Sequence, residues 1–383
     1  MQVNATPMKE NMSPGSGAKK NTVPTIVKVI PLPRANNISI MLTKFSEFGG
    51  RLGDNIRDAI MSGSERLSTE QLTLLAQIAP TPDESKALTA YPGPPSELSP
   101  PEQFLLTMTT VPRLQAKIST LMFLRQFESL CSDALAGLEA LCAACSQIRS
   151  SKRFRRVLAT ILATGNMLNA GTHRGNAEAV KFESLLKMGD LKATKVPQKS
   201  DEKDLVESLA VKVPPIRSLV DFVAWTVLLQ SVSQNELSGK DALEIARNGF
   251  LAHELSSLTD AVKRMQLDVV EALTALDSGM SAVRREVDAE GSVRNSADKS
   301  IETESQSRFQ RVLQSFIDTA DKEQEMIKAF AEKSQKQVSM TIKWLGEPAD
   351  SDALTVFQMV RTFMNDFDQA FGRICRSIDK DGI

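Results

Sequence analysis

The pattern that most narrows the fold of this chain begins at Leu251. Leu251, Leu255, Leu258, Val262, Met265 and Val269 step by four and three; Leu273, Leu276, Met280, Val283 and Val287 resume the steps after a four replaces a three. Apolar residues spaced this way line one stripe of a long α-helix, whereas strand side chains alternate every two residues. The repeat is that of a coiled-coil seam, with the altered step locally relaxing its left-handed supercoil. A second long helix, carrying Phe309, Val312, Leu313, Phe316, Ile317, Ala320, Met326, Ile327 and Phe330, is predicted to run back beside the first. The polar stretch Ala289–Ser305 between them reads as a mobile turn. Packing inside the molecule explains such a seam better than a dimer zipper does.

Composition points the same way. The chain has 383 residues, 42% of them hydrophobic, enough for a large core or an extended helical body. Aromatic residues are only 5%, while Leu, Ala, Met, Glu and Lys are plentiful, which favours helices packed on helices. With 46 Lys and Arg against 47 Asp and Glu, the net charge of -1 creates no global field toward nucleic acid or anionic membrane. Cys131, Cys142, Cys145 and Cys375, with no secretory leader, suggest a reducing compartment, and no apolar run reads as long enough to cross a bilayer. The expected location is cytoplasmic.

Along the chain, residues 1–22 read as a disordered polar tail and residues 23–383 as one domain. Helices are predicted from Asn36, over Leu52–Ser62, over Thr69–Ile78, after Pro80-Thr-Pro82, and from Glu102 to Ile148 with an interruption near Pro112. Residues 193–217, charged and proline-containing, read as a surface insertion. Ser218–Gln230 reads as a buried helix, and Gly346-Glu-Pro348 separates the second long helix from a last one rich in Phe.

No residue set supports catalysis. Cys142-Ala-Ala-Cys145 has redox or metal spacing, but it sits mid-helix without a second cysteine pair, so two small buried side chains are expected. His173 and His253 lack a visible Ser or Asp partner. Five cations between Arg149 and Arg156 read as a solvated helix start, with a docking patch for an acidic partner as the alternative. No catalytic residue, metal or cofactor is expected.

The densest Gly and Asn cluster is Thr164-Gly-Asn-Met-Leu-Asn-Ala-Gly-Thr-His-Arg-Gly-Asn176, where a helix is expected to stop and asparagine amides to bond nearby backbone. This block resembles the signature of the formin homology 2 family. Other motifs follow in the family's order, from about Val27 to Ser377: Arg34–Leu42 is similar to its knob helix, Ala79–Glu84 to its Pro-Thr-x-Glu-Glu element, and Glu102–Leu105 and Val111–Leu114 to its Glu-Gln-Phe and Ile-Pro-Arg elements. The resemblance implies an all-α, elongated multi-helix body with knob, coiled-coil and post subregions. It implies binding to actin at the filament's barbed end, with nucleation, capping or elongation, and pairing head to tail into a ring. It assigns actin contact to Ile40 and Lys192, and places Gly165, Asn166, Asn169 and Gly171 in the post loop that receives a partner's lasso.

Three departures accompany the resemblance. Only a polar tail precedes Val23, and the two tryptophans, Trp225 and Trp344, lie far from it, so the tryptophan-anchored lasso is expected to be missing and dimerisation is in question. The 193–217 insertion directly follows Lys192, and Asp221 stands where the family has histidine. Val180 and Phe182 exchange the family's Phe and Leu. The competing reading is a helical scaffold that has lost actin assembly and docks partners through its coiled coil. Neither reading involves nucleic acid or membrane insertion.

Overall fold

The computed structural model describes residues 28–173, 175–192, 214–234, 244–245, 248–267, 269–296 and 303–381. The predicted polar tail and the insertion as far as residue 213 lie outside them. The described residues are α-helical, joined by loops and short 3-10 turns, with one isolated antiparallel bridge between Lys192 and Ser218. They fall into two compact units, one of residues up to 122 with 289–312, the other of 123–288 with 313–383.

In the first unit, α1 (Leu32–Leu42), a 3-10 turn (Thr43–Phe48), α2 (Leu52–Met61), α3 (Thr69–Ile78), α4 (Pro82–Thr89) and α5 (Pro100–Thr109) precede α6 (Leu114–Ser150). Local chemistry explains the helix starts. Ser68 Oγ accepts from Gln71 N while the Gln71 side chain accepts from Ser68 N, and Thr81 and Glu84 make the same reciprocal cap one helix later. Pro82 occupies the first turn of α4, where its missing N–H costs nothing. Ile38, Phe45, Ile56, Leu72 and Leu105 are fully buried.

The predicted mobile turn at Ala289–Ser305 is corrected at its two ends, which are helical, while residues 297–302 lie outside the described residues. α11 (Val269–Ser296) continues into the polar stretch as far as Ser296, and α12 (Thr303–Trp344) takes up its last residues. Glu290 is polar because it is a buried ion-pair partner. It accepts from the fully buried Lys117 and, at 2.6 Å, from Arg113 Nη2, while Lys117 Nζ lies 4.3 Å over the Phe309 ring.

The second unit contains α7 (Lys152–Leu168), α8 (Phe182–Leu186), α9 (Leu219–Ser233), α10 (Ser256–Leu267) and α13 (Ala353–Asp381), with the remaining parts of α6, α11 and α12. Its core is a chain of aromatic rings: Phe154, Phe182, Phe363, Phe367, Phe371 and Phe250, with centroids 4.5–6.4 Å apart. Phe182, in the family's leucine position, is buried against Phe154 and Phe363, whereas Val180 is half-buried. Asp277 bonds Gln324 and Lys328, and Arg284 bonds Asp321, so α11 and α12 run antiparallel here.

Met326 does not belong to the buried stripe of α12. It is exposed, and the stripe runs Leu313, Ile317, Ala320, Gln324, Ile327, Ser334, Val338 and Thr341. Polar side chains hold seam positions, so an apolar count misplaces the face. α12 ends as predicted near Gly346, whose φ of +78° lets the N–H groups of Gly346 and Glu347 reach back to Lys343 O and Ile342 O.

α6 is, by length and composition, long and apolar enough to cross a bilayer, contrary to the reading that no run is. Ile118, Leu121, Phe127, Ala134, Leu138, Leu141, Cys145 and Ile148 along it are buried within the protein.

Candidate functional site

Ile38, Ile40 and Leu42 all lie in the stretch similar to the knob helix, and the register of α1 separates core from surface among them. Ala35, Ile38 and Leu42 form its buried stripe, while Ile40 points away at 68% exposure. Two polar clasps fix the helix that presents it. Arg34 reaches Glu84 at 3.1 Å and the carbonyls of Gln77 and Ala79 at 3.2 and 3.1 Å, tying α1 to the corner at Pro80-Thr-Pro82. Glu102, on α5, accepts from the N–H groups of Val29 and Ile30, just before α1, and from Ser99 N and Oγ. Burial alone would raise the Glu102 pKa, but these hydrogen bonds outweigh it and hold the carboxyl below its usual range.

The Gly and Asn cluster folds differently from the simple helix stop expected. Gly165 and Asn166 lie inside α7, which continues to Leu168, and Asn169 caps it. Left-handed backbone appears later, at Gly171 (φ +76°) and Asn176 (φ +57°). Asn166 performs the predicted bonding to backbone: its Nδ2 donates to Ala177 O at 2.9 Å and its Oδ1 accepts from Ala177 N at 2.7 Å. Asn169 acts through its carbonyl, which accepts from Thr172 N and Oγ1. A side chain at Gly165 or Gly171 would meet open space. The close approach is at Gly175, where a Cβ would lie 2.8 Å from Asn169 O, a requirement the motif reading missed.

The Asn166 clasp draws residues 177–180 toward α7. Beside it runs an apolar groove of about 340 Å³, lined by Leu158, Leu162, Val180, Phe182, Leu185 and Trp344. Leu158 and Leu162 occupy the turns of α7 just before Gly165.

Lys192 is exposed and pairs with none of the described acidic residues. Its bridge to Ser218, with Leu219 N donating to Leu191 O at 3.0 Å, closes the neck of the insertion. Asp221, in the family's histidine position, is buried. It accepts from Arg217 N and Ser218 N at 3.1 Å each, caps α9 reciprocally with Ser218, and pairs with Arg373 Nη2 at 2.8 Å.

The cations between Arg149 and Arg156 are not a solvated run. Arg149 bonds Gln337; Arg153 reaches Phe250 O and Glu254 and stacks 5.0 Å from the Phe250 ring; Arg155 lies 5.6 Å from the Trp344 ring; Arg156 bonds Ser231 and Gln234. Of the five, Lys152 and Arg155 are exposed. These side chains brace helices against one another and leave little for an acidic partner. Burial pushes the thiols of Cys131 and Cys145 up to about 11 and that of Cys375 up to about 12, the opposite of an activated nucleophile. His173 and His253 are exposed.

The formin homology 2 domain family matches residues 3–368, reaching further toward the N-terminus than the motifs do. The chain is 27% identical over 365 residues to formin-like protein 3 of Arabidopsis thaliana, covering 92% of this chain and 43% of that protein. It is 32% identical over 265 residues to formin-like protein 5 of Oryza sativa subsp. japonica, covering 68% of this chain and 15% of the relative. Formin-like protein 8 of the same rice is 27% identical over 368 residues, covering 92% and 37%. The chain thus spans less than half the length of these curated relatives. By the extent of the family match, the chain belongs to the formin homology 2 family.

Proposed function

We propose that this chain binds actin at the barbed end of the filament, where it nucleates, caps or elongates, acting as a template for subunit contacts and not as an enzyme. The observation that carries the reading is the exposure of Ile40 on a helix whose Ala35, Ile38 and Leu42 are buried. An exposed aliphatic on a clasped helix suits insertion into a hydrophobic cleft, where its burial contributes about 1.5–3 kcal/mol. Lys192 supplies a second contact, a cation toward actin carboxylates, with a modest and salt-screened contribution. The apolar groove beside Gly165, Asn166, Asn169 and Gly171 suits the apolar anchor of a partner's lasso; the residues before Val23 carry no tryptophan to serve as that anchor in a second copy of this sequence. Actin association places the protein in the cytoplasm, at the actin cytoskeleton.

The test is growth of actin from filament seeds with barbed or pointed ends blocked, alongside sedimentation with filaments. Altered growth confined to free barbed ends supports the proposal. Binding along filament sides with unchanged growth at both ends overturns it.

A further inference from the structure

A cleft of about 260 Å³ opens between the loop leading into α9 and the last turns of α13, lined by Pro215, Arg217, Arg373, Arg376 and Ser377. Arg373 and Arg376 stand one helical turn apart, so both project from one face of α13. Arg217 meets them from the opposite wall. Buried Asp221 fixes this arrangement from beneath, since it holds the backbone N–H of Arg217 and the guanidinium of Arg373 at once.

Among the described residues the charges of the cleft do not cancel. Asp221 offsets Arg373, and Asp366 lies near enough to Arg373 to interact with it electrostatically. Arg217 and Arg376 are exposed, with no acidic partner among the described residues. Ser377 Oγ donates to Ile374 O at 2.8 Å, so the donors available to a ligand come from the guanidinium groups. A guanidinium fork matches a tetrahedral oxyanion with two parallel N–H bonds. A single carboxylate answers one uncompensated cation, whereas a phosphate monoester carries nearly two negative charges on one compact group.

We propose that this cleft binds a phosphate monoester, held by Arg217 and Arg376 with Arg373 as the third wall. The site shares no residue with the actin contacts assigned to Ile40 and Lys192, although Lys192 is bridged to Ser218, the neighbour of Arg217; phosphate binding is read without actin, so it stands or falls apart from that reading.

The test is calorimetric titration of the whole chain, at constant ionic strength, with inorganic phosphate, inositol 1,4,5-trisphosphate and a glutamate-rich peptide. Flotation with vesicles containing either phosphatidylinositol bisphosphate or phosphatidylserine at equal charge complements it. The expected result is saturable binding of the phosphate compounds, weakened about tenfold or more by Arg217→Gln with Arg376→Gln. Lys152→Gln, which removes an exposed cation elsewhere, should leave it unchanged, as should the melting temperature of the double variant. Capture by bisphosphate vesicles assigns the phosphate to a lipid headgroup, and titration without capture assigns it to a soluble ester. Absence of saturation, equal binding by the double variant, equal loss in Lys152→Gln, or a peptide that binds as well as the phosphates overturns the proposal.

Discussion

Glu102 and Asp221 show how single carboxylates hold the surfaces to which function is assigned. Glu102 gathers donors from the segment before α1 and from the cap of its own helix, and its pKa lies below the unfolded value. A depressed folded pKa contributes stability that is fully present above the unfolded value of about 4.3 and is lost as pH falls through the folded pKa. Wild type should therefore exceed Glu102→Gln in chemical-denaturation stability above about pH 4.3, with the two converging at lower pH; a difference that grows on acidification would contradict this role. Asp221→Ala removes a helix cap and strands Arg373, and should cost about 1–3 kcal/mol in the same assay. Neither role was legible in the sequence. Asp221 stood out only as a replaced histidine, and Arg373, its partner, is 152 residues away. Ile40 was legible as a candidate, but only the helix register distinguishes it from Ile38 and Leu42.

At the scale of elements, periodicity located helices wherever the seam is apolar and failed where it is polar. α2, α3 and α9 follow their predicted spans closely because caps and breakers bound them. The polar residues at 289–296 were misread as part of a turn because a buried Lys–Glu pair carries the same local signature as a solvated turn, and the two cannot be told apart without the partner helix. The basic run at 149–156 was misread for the same reason, since its acceptors come from residues 231–254 and 337. The loop after α7 was half legible: its asparagines were recognised as backbone ligands, but not that only Asn166 reaches across to Ala177. The neck at Lys192 and Ser218 carries a prediction of its own. Its two sides are already bridged, so replacing residues 194–213 by a short Gly/Ser linker should leave the melting temperature essentially unchanged. A large drop in a thermal melt would show that the insertion supports the fold.

At the scale of the whole molecule, family membership follows from the match over residues 3–368, and the all-α architecture was legible from composition and seam together. The proposed activity is a different matter, because it rests on two exposed side chains, Ile40 and Lys192, that neither hydrophobic pattern nor packing selects. The central claim is that Ile40 and Lys192 carry the contact with actin. Because both are exposed, truncating them should leave stability unchanged while removing function. The most direct measurement is barbed-end growth of fluorescently labelled actin with wild type, Ile40→Ala and Lys192→Ala at matched concentrations, each variant first shown to melt with wild type. The account predicts that both variants lose most of the wild-type effect, roughly tenfold or more for Ile40→Ala, the equivalent of one buried aliphatic. Growth curves for both variants that superimpose on wild type would contradict it.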